Sequence, residues 1–120
     1  MKKRVLVVDD SPTDRQMVTT LLQKEGYAVT TAIDGEDALQ KIAAEQPPLV
    51  VLDIVLPKMN GYQVLRQLKS APATRNIKVI LVSSKNQEAD RFWGLKQGAD
   101  DYIAKPIPDT ALLTAVARHF

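Results

Sequence analysis

Five polar residues stand where buried strands are expected to end, and their types could do chemistry together. Asp9 and Asp10 follow one apolar run, Asp53 follows a second, and Ser83 and Lys105 follow two later ones. In open parallel sheets, ligands bind beyond the carboxyl ends of the strands, so these residues would share one edge. The sequence therefore predicts three carboxylates, one hydroxyl and one ammonium in a single site.

The charges of these side chains indicate what the site would bind. Three close carboxylates repel each other, and Lys105 compensates only one of them. A hard divalent cation such as Mg²⁺, which prefers oxygen ligands, is the natural partner for the rest. The sequence has no cysteine, and its single histidine, His119, lies at the far end of the chain, which disfavours zinc and a serine–histidine hydrolase. The remaining parts are those needed to transfer a phosphoryl group onto an aspartate.

Alternating apolar runs and amphipathic segments along the chain predict the elements that would position this site. Strands are expected near 5–8, 28–32, 49–52, 77–82 and 102–104, each followed by a helix. Ser11 and Pro12 suit the start of the first helix, whereas Gly26 and Gly98 suit the ends of the first and fourth. Strands that are apolar on both faces, with helices between them, indicate a parallel sheet covered on both sides.

Composition limits the class of protein. The 120 residues suit one domain, and 45% apolar with 25% charged residues is typical of a globular chain rather than a disordered one. No apolar run approaches the roughly 20 residues of a membrane span, and the basic start is followed by too few apolar residues for a signal peptide. The net charge is only +2, and the three basic residues at 2–4 are interpreted as a solvated strand entry, since no other basic cluster supports binding to nucleic acid. We therefore expect a cytoplasmic protein that binds neither membranes nor nucleic acid.

Four motifs carry a resemblance to a known family: VLVVDDSPTDR, VVLDIVLPKMNGYQVL, ILVSSK and GADDYIAKP. In order and spacing they resemble the receiver domains of two-component response regulators, of the chemotaxis CheY-like type. The resemblance covers essentially the whole chain. It implies a flavodoxin-like (βα)5 three-layer sandwich, with a five-stranded parallel sheet in the order 2-1-3-4-5. It also implies one receiver domain over residues 1–120, with no output domain.

The resemblance assigns roles to the site residues. Asp53 would accept a phosphoryl group from a histidine kinase or a phosphotransfer domain. Asp10 would be the main acidic ligand of Mg²⁺, for which Mn²⁺ could substitute, with Asp9 helping directly or through water. Asp53 and the backbone carbonyl of Val55 would complete the metal ligands, and Lys105 would pair with Asp53 and then with the phosphoryl oxygens.

The same resemblance implies a switch and an output surface. Ser83 would hydrogen-bond the phosphoryl group, and Tyr102 would turn inward when Ser83 moves, although a purely packing role for Tyr102 stays open, as does confusion of Ser83 with Ser84. The face formed by the fourth helix, the fifth strand and the fifth helix would bind a downstream protein. The Lys105–Pro106 peptide bond is expected to be cis.

The function expected from the sequence is that of a stand-alone phospho-accepting response regulator, in chemotaxis-like or twitching-motility signalling. It would dephosphorylate itself and would not be a turnover enzyme. The residues Val55 and Lys85 leave the rate of dephosphorylation open. We expect a monomer, with dimerisation on phosphorylation left open. The alternatives are a degenerate receiver that binds constitutively, an aspartate-nucleophile phosphatase, which would need a second acid where Val55 stands, and, more weakly, a flavin-binding protein.

Several residues near these motifs are expected to have ordinary structural roles. Asp14 suits the first turn of a helix, where an acid complements the helix dipole. Asp100 and Asp101 are interpreted as a solvated loop before the fifth strand. Phe92 and Leu95 are expected on the inner face of the fourth helix. For the neighbouring Trp93, half-buried packing and an exposed interface anchor both stay open.

Overall fold

The computed structural model of this protein describes residues 2–84 and 87–120. Five strands alternate with five helices in the described part of the chain. The strands are β1 (Arg4–Val8), β2 (Ala28–Ala32), β3 (Leu49–Asp53), β4 (Lys78–Ser83) and β5 (Asp101–Ala104). The helices are α1 (Pro12–Lys24), α2 (Gly35–Glu45), α3 (Gly61–Ser70), α4 (Glu88–Lys96) and α5 (Asp109–Arg118). Lys85 and Asn86, which were expected before and at the start of the fourth helix, lie outside the described residues.

All five strands form one parallel sheet in the order β2-β1-β3-β4-β5. In its register, Val5 of β1 lies opposite Val29 of β2 on one side and Leu49 of β3 on the other. Because β1 and β3 are central and apolar on both faces, each can be covered by helices above and below. The flavodoxin-like fold class predicted from the sequence is therefore confirmed.

Two hydrophobic cores lie on opposite faces of the sheet. On one face, Val5 and Val7 of β1 pack with α1 and α5 through residues such as Leu22 and Leu112. On the other face, α2 and α3 pack on Leu6 and Val8 of β1; the buried contributors from these two helices are Ala38, Ile42, Val64, Leu65 and Leu68. Successive strand residues point to opposite faces, so one short apolar run supplies both cores.

Local capping sets where the helices beside the site begin. The Ser11 hydroxyl accepts a hydrogen bond from the Asp14 amide at 3.3 Å, so α1 begins directly after Asp10. At α3, the Asn60 and Gln63 side chains cap each other's backbone amides at 3.0 and 2.9 Å. The short loops that follow β1 and β3 are thus held at both ends, which fixes the paths of the acids they carry.

Helix α4 packs differently from the expectation. Gly94 is its buried residue, whereas Phe92 is 66% exposed and Leu95 is also exposed. A Cβ atom on Gly94 would lie 2.8 Å from Cδ2 of Tyr102, so the helix approaches the sheet through the one residue without a side chain. The prediction of an inward-facing Phe92 and Leu95 is therefore wrong. Trp93 is half exposed.

None of the helices in the described part of the chain combines the length and the apolar character that crossing a membrane requires.

Candidate functional site

The predicted strand-end residues do come together at one edge of the sheet. Asp9 directly follows β1, Asp53 ends β3, Ser83 ends β4, and Lys105 follows β5. These four strands are consecutive neighbours and run parallel, so their carboxyl ends meet. The peptide bond between Lys105 and Pro106 is cis, as the sequence predicted.

Lys105 is the centre of this cluster. Its Nζ lies 3.0 Å from Oδ2 of Asp9, 3.0 Å from Oδ2 of Asp14 and 3.0 Å from Oδ2 of Asp53. An ammonium group has three N–H donors, and each of them has a carboxylate acceptor here. Asp9 and Asp53 are buried, so these charge-assisted hydrogen bonds hold two acids that water does not solvate well.

Burial and the ion pairs act in opposite directions on the ionisation of this cluster. Burial alone would lower the pKa of Lys105, but the hydrogen bonds to Asp14, Asp53 and Asp9 together raise that pKa above its usual value. Burial raises the pKa of the Asp53 carboxyl, and the contact with Lys105 only partly opposes this. Lys105 is therefore firmly protonated, while Asp53 is an acid held in an environment that disfavours its charge.

Three carboxylates at this edge form a group that could hold a metal ion. Ligand oxygens of Asp9, Asp10 and Asp53 all lie within 4.8 Å of one another. Asp9 already accepts hydrogen bonds from Lys105 and from the Ser11 amide at 2.9 Å, whereas Asp10 is exposed. An all-oxygen, acidic donor set with one side open to water suits Mg²⁺, which keeps several of its waters. The residues present therefore fit that ion.

The loop after Asp53 is shaped by its backbone. The Val55 amide donates to Oδ1 of Asp53 at 3.1 Å, which orients that carboxylate while its Oδ2 faces Lys105. The Ile54 amide donates to the Val82 carbonyl at 3.1 Å, and the Ile54 carbonyl accepts from the Gly61 amide at 2.8 Å. Asp53 is thereby held between β4 and the start of α3.

Ser83 and Tyr102 form a buried pair on the neighbouring strands β4 and β5. Ser83 is fully buried and Tyr102 is 3% exposed, whereas Ser84 is exposed. Burial raises the pKa of the Tyr102 phenol, and a hydrogen bond with the Ser83 side chain acts in the opposite direction. Of the two serines, Ser83 is thus the one that faces the interior, and Tyr102 lies inward in this structure.

Asp14 and Asp101 have partners that the sequence did not indicate. Asp14 does lie in the first turn of α1, but its carboxylate also reaches Lys105. Asp101 was expected in a solvated loop; this prediction is wrong, because it is a buried residue of β5 that pairs with Arg118 at 3.1 Å and His119 at 3.4 Å. The alternation of β5 was the available signal, since it places Asp101 on the same face as Ile103.

Asp100 also differs from the solvated-loop interpretation. Its Oδ2 accepts a hydrogen bond from the Val79 amide at 2.8 Å and pairs with Nζ of Lys69 at 3.2 Å. Asp100 therefore links α3 to the start of β4 instead of lying free in a loop.

Comparison with known proteins agrees with this fold. The family model of the response regulator receiver domain matches residues 5–117. The chain therefore belongs to that family, the receiver domains of two-component systems. Protein PilH of Pseudomonas aeruginosa is 43% identical over 113 residues, which cover 94% of this chain and 93% of PilH.

Solved structures resemble the fold closely. A putative response regulator from Chloroflexus aurantiacus superposes with a TM-score of 0.95 at 29% identity, covering 99% of this chain and 98% of that one. The chemotaxis response regulator CheY4 of Vibrio cholerae gives a TM-score of 0.92 at 28% identity, with full coverage of both chains. This protein is therefore a CheY-like receiver domain.

Proposed function

We propose that this protein accepts a phosphoryl group on Asp53 and works as a response regulator in a phosphorelay. The observation that carries the proposal is the position of Asp53, a buried carboxylate at a strand end, 3.0 Å from the ammonium of Lys105 and beside two further acids. The donor would be a phosphohistidine of a histidine kinase or of a phosphotransfer domain. The chain's membership of the receiver family supports this role.

In the proposed reaction, a carboxylate oxygen of Asp53 forms a bond to phosphorus while the bond from phosphorus to the donor's histidine nitrogen breaks. The ammonium of Lys105 is already in place to follow the phosphoryl oxygens, which spread negative charge in the transition state. Asp9, Asp10, Asp53 and the Val55 carbonyl would hold Mg²⁺, or Mn²⁺ in its place. When bound, the ion supplies charge neutralisation at the phosphoryl oxygens.

Other residues of the chain would carry the signal away from Asp53. Ser83 ends the strand beside Asp53 and hydrogen-bonds Tyr102, so a movement of Ser83 toward the phosphoryl group changes the contact on which Tyr102 depends. Tyr102 in turn packs against Gly94 of α4. We propose the face of α4, β5 and α5 as the surface for a downstream protein. The exposed Phe92 and Trp93 of α4 are suitable apolar anchors.

The setting of this function is proposed from the chemistry of the family. The pathway would be chemotaxis-like or twitching-motility signalling in the cytoplasm, and the protein would work as a monomer. Loss of the phosphoryl group would occur by hydrolysis on the protein itself, so that the domain acts as a timed switch and not as a turnover enzyme.

The decisive test of phosphoryl acceptance is intact mass after incubation with Mg²⁺ and acetyl phosphate. We expect one phosphoryl adduct on the wild-type protein and none on Asp53→Asn. Asp109→Asn, which removes an exposed acid from the first turn of α5, is the matched control and should be labelled like the wild type. No adduct on the wild type, or an adduct that survives Asp53→Asn, would contradict the proposal.

The output surface is tested by comparing partners in two states. Beryllofluoride-treated wild-type protein and Asp53→Ala would each be used to capture binding proteins from a cell extract. A protein retained only by the treated wild type, and lost after Trp93→Ala, would support the proposed face. Capture that is equal in both states would favour a constitutive binding module instead.

A further inference from the structure

Asp14 belongs to the cluster around Lys105, although it does not lie at the end of a strand. It lies in the first turn of α1, and its side chain is 39% exposed, yet its Oδ2 lies 3.0 Å from Nζ of Lys105. The Lys105 side chain itself is only 17% exposed. A lysine that is mostly withdrawn from water therefore has one partially solvated carboxylate beside it, on an element separate from the sheet.

The three contacts of Lys105 use its whole donor capacity. Asp9, Asp14 and Asp53 each accept one of the three N–H groups. An oxygen of a phosphoryl group on Asp53 can take a Lys105 hydrogen bond only by displacing or sharing one of these acceptors. Asp9 and Asp53 belong to the group of acids that could hold the metal. Asp14 is outside that group, so it is the acceptor that competes without contributing to the metal site.

The negative charges around Lys105 also oppose a phosphoryl group on Asp53. Asp14 adds a fourth carboxylate to Asp9, Asp10 and Asp53, so Lys105 faces more negative charge than it can neutralise. A phosphoryl group brings about −1.5 to −2 further charges to the same place. Like charges at short range raise the free energy of the charged state, so Asp14 disfavours a phosphorylated Asp53.

We propose that Asp14 is a positioning residue that holds Lys105 in its unphosphorylated location and competes with the phosphoryl group for the ammonium. Asp14 thereby sets how readily this domain is activated. The inference rests on the proposed function, since it concerns the group that Asp53 would accept. An ordinary first-turn acid would affect only helix stability, and its removal would leave the response to a phosphoryl group unchanged.

Beryllofluoride with saturating Mg²⁺ is the probe for this competition, because it stands in for a phosphoryl group on a carboxylate. We expect Asp14→Asn to bind beryllofluoride about two- to fivefold more tightly than the wild type, the range for a partly exposed ion pair. Asp14→Glu keeps the charge and should remain close to the wild type. Asp109→Asn, which changes a first-turn acid of α5 that is not among the three acceptors of Lys105, is the matched control and should not change the affinity. Equal or weaker binding by Asp14→Asn would overturn the inference.

A second measurement tests the ion pair with neither metal nor beryllofluoride present. The melting temperatures of the wild type, Asp14→Asn, Lys105→Met and the double variant form a double-mutant cycle. Asp14→Asn should lower the melting temperature less, or should raise it, in the Lys105→Met background, because Asp14 has there lost the ammonium but keeps the carboxylates of Asp9 and Asp53 nearby. Identical changes in both backgrounds would show that Asp14 and Lys105 do not interact, which would overturn the inference. Wild-type protein that binds no beryllofluoride, with this coupling present, would instead contradict the proposed function.

Discussion

A Cβ atom placed on Gly61 would lie 2.4 Å from the backbone carbonyl oxygen of Asp53. It would also lie 2.7 Å from Cα of Ile54, and the Gly61 amide hydrogen-bonds the Ile54 carbonyl at 2.8 Å. The first residue of α3 thus packs directly on the backbone that carries the proposed phosphoacceptor. Only glycine allows this approach, because any side chain would meet backbone atoms that cannot rotate away.

Gly61→Ala should therefore destabilise the protein and displace Asp53. Overpacking of this kind costs about 1–3 kcal/mol of unfolding free energy, and the backbone contact places this site at the upper end. Gly35→Ala is a matched control at the first residue of α2, where the nearest atom to the new Cβ is a Val64 methyl at 3.0 Å. Urea denaturation of both variants measures the costs. A cost at Gly61 no larger than that at Gly35 would contradict this interpretation.

Gly94→Ala should push on the ring of Tyr102. An exposed helical glycine gains up to about 1 kcal/mol of stability when it becomes alanine, but here the new Cβ would meet Tyr102 Cδ2 at 2.8 Å and Leu81 Cδ1 at 3.1 Å. We expect a net loss of unfolding free energy in the wild-type background. In a Tyr102→Val background the loss should shrink or change sign, since the ring is gone. The same loss in both backgrounds would show that Tyr102 does not set the spacing of α4.

Asp10→Asn should weaken Mg²⁺ binding more than Asp9→Asn does. Asp9 is buried and already accepts hydrogen bonds from Lys105 and Ser11, whereas Asp10 is exposed beside the same group of oxygens. Isothermal titration calorimetry with Mg²⁺ alone measures both affinities. Asp109→Asn controls for the loss of one negative charge elsewhere. Equal losses for the two site variants would mean that the division of roles between Asp9 and Asp10 is wrong.

In the absence of metal, Asp53→Asn should become increasingly more stable than the wild type as the pH rises above the ordinary aspartate pKa of 3.8. Burial raises the folded-state pKa of Asp53 above its ordinary value of 3.8, so the folded protein binds that proton more tightly than the unfolded chain. The wild type therefore loses stability as the pH rises through the folded-state pKa, and asparagine, which does not ionise, escapes this loss. Urea denaturation across the pH series measures the difference, and a difference that stays constant or falls would contradict the raised pKa.

The strand ends and the types of residue that stand there were predictable from local pattern. Asp9 and Asp53 each end an unbroken apolar run, and a run that is apolar on both faces belongs inside a parallel sheet. Since parallel strands meet at their carboxyl ends, the convergence of these acids with Ser83 and Lys105 follows from the order of the elements. The roles assigned to these residues stay predictions until the phosphoryl adduct and the metal affinity are measured.

The sequence by itself determined the alternation of strands and helices, the family and the acids at the sheet edge, because these depend on local pattern and on the order and spacing of motifs along the chain. Only the tertiary structure decided that Asp14 reaches Lys105, 91 residues away, and that Asp101 is buried against Arg118. It also decided that α4 turns Gly94, and not Phe92, to the sheet. The physical reason is that helical periodicity predicts which residues share a face, whereas packing between separate elements determines where that face lies.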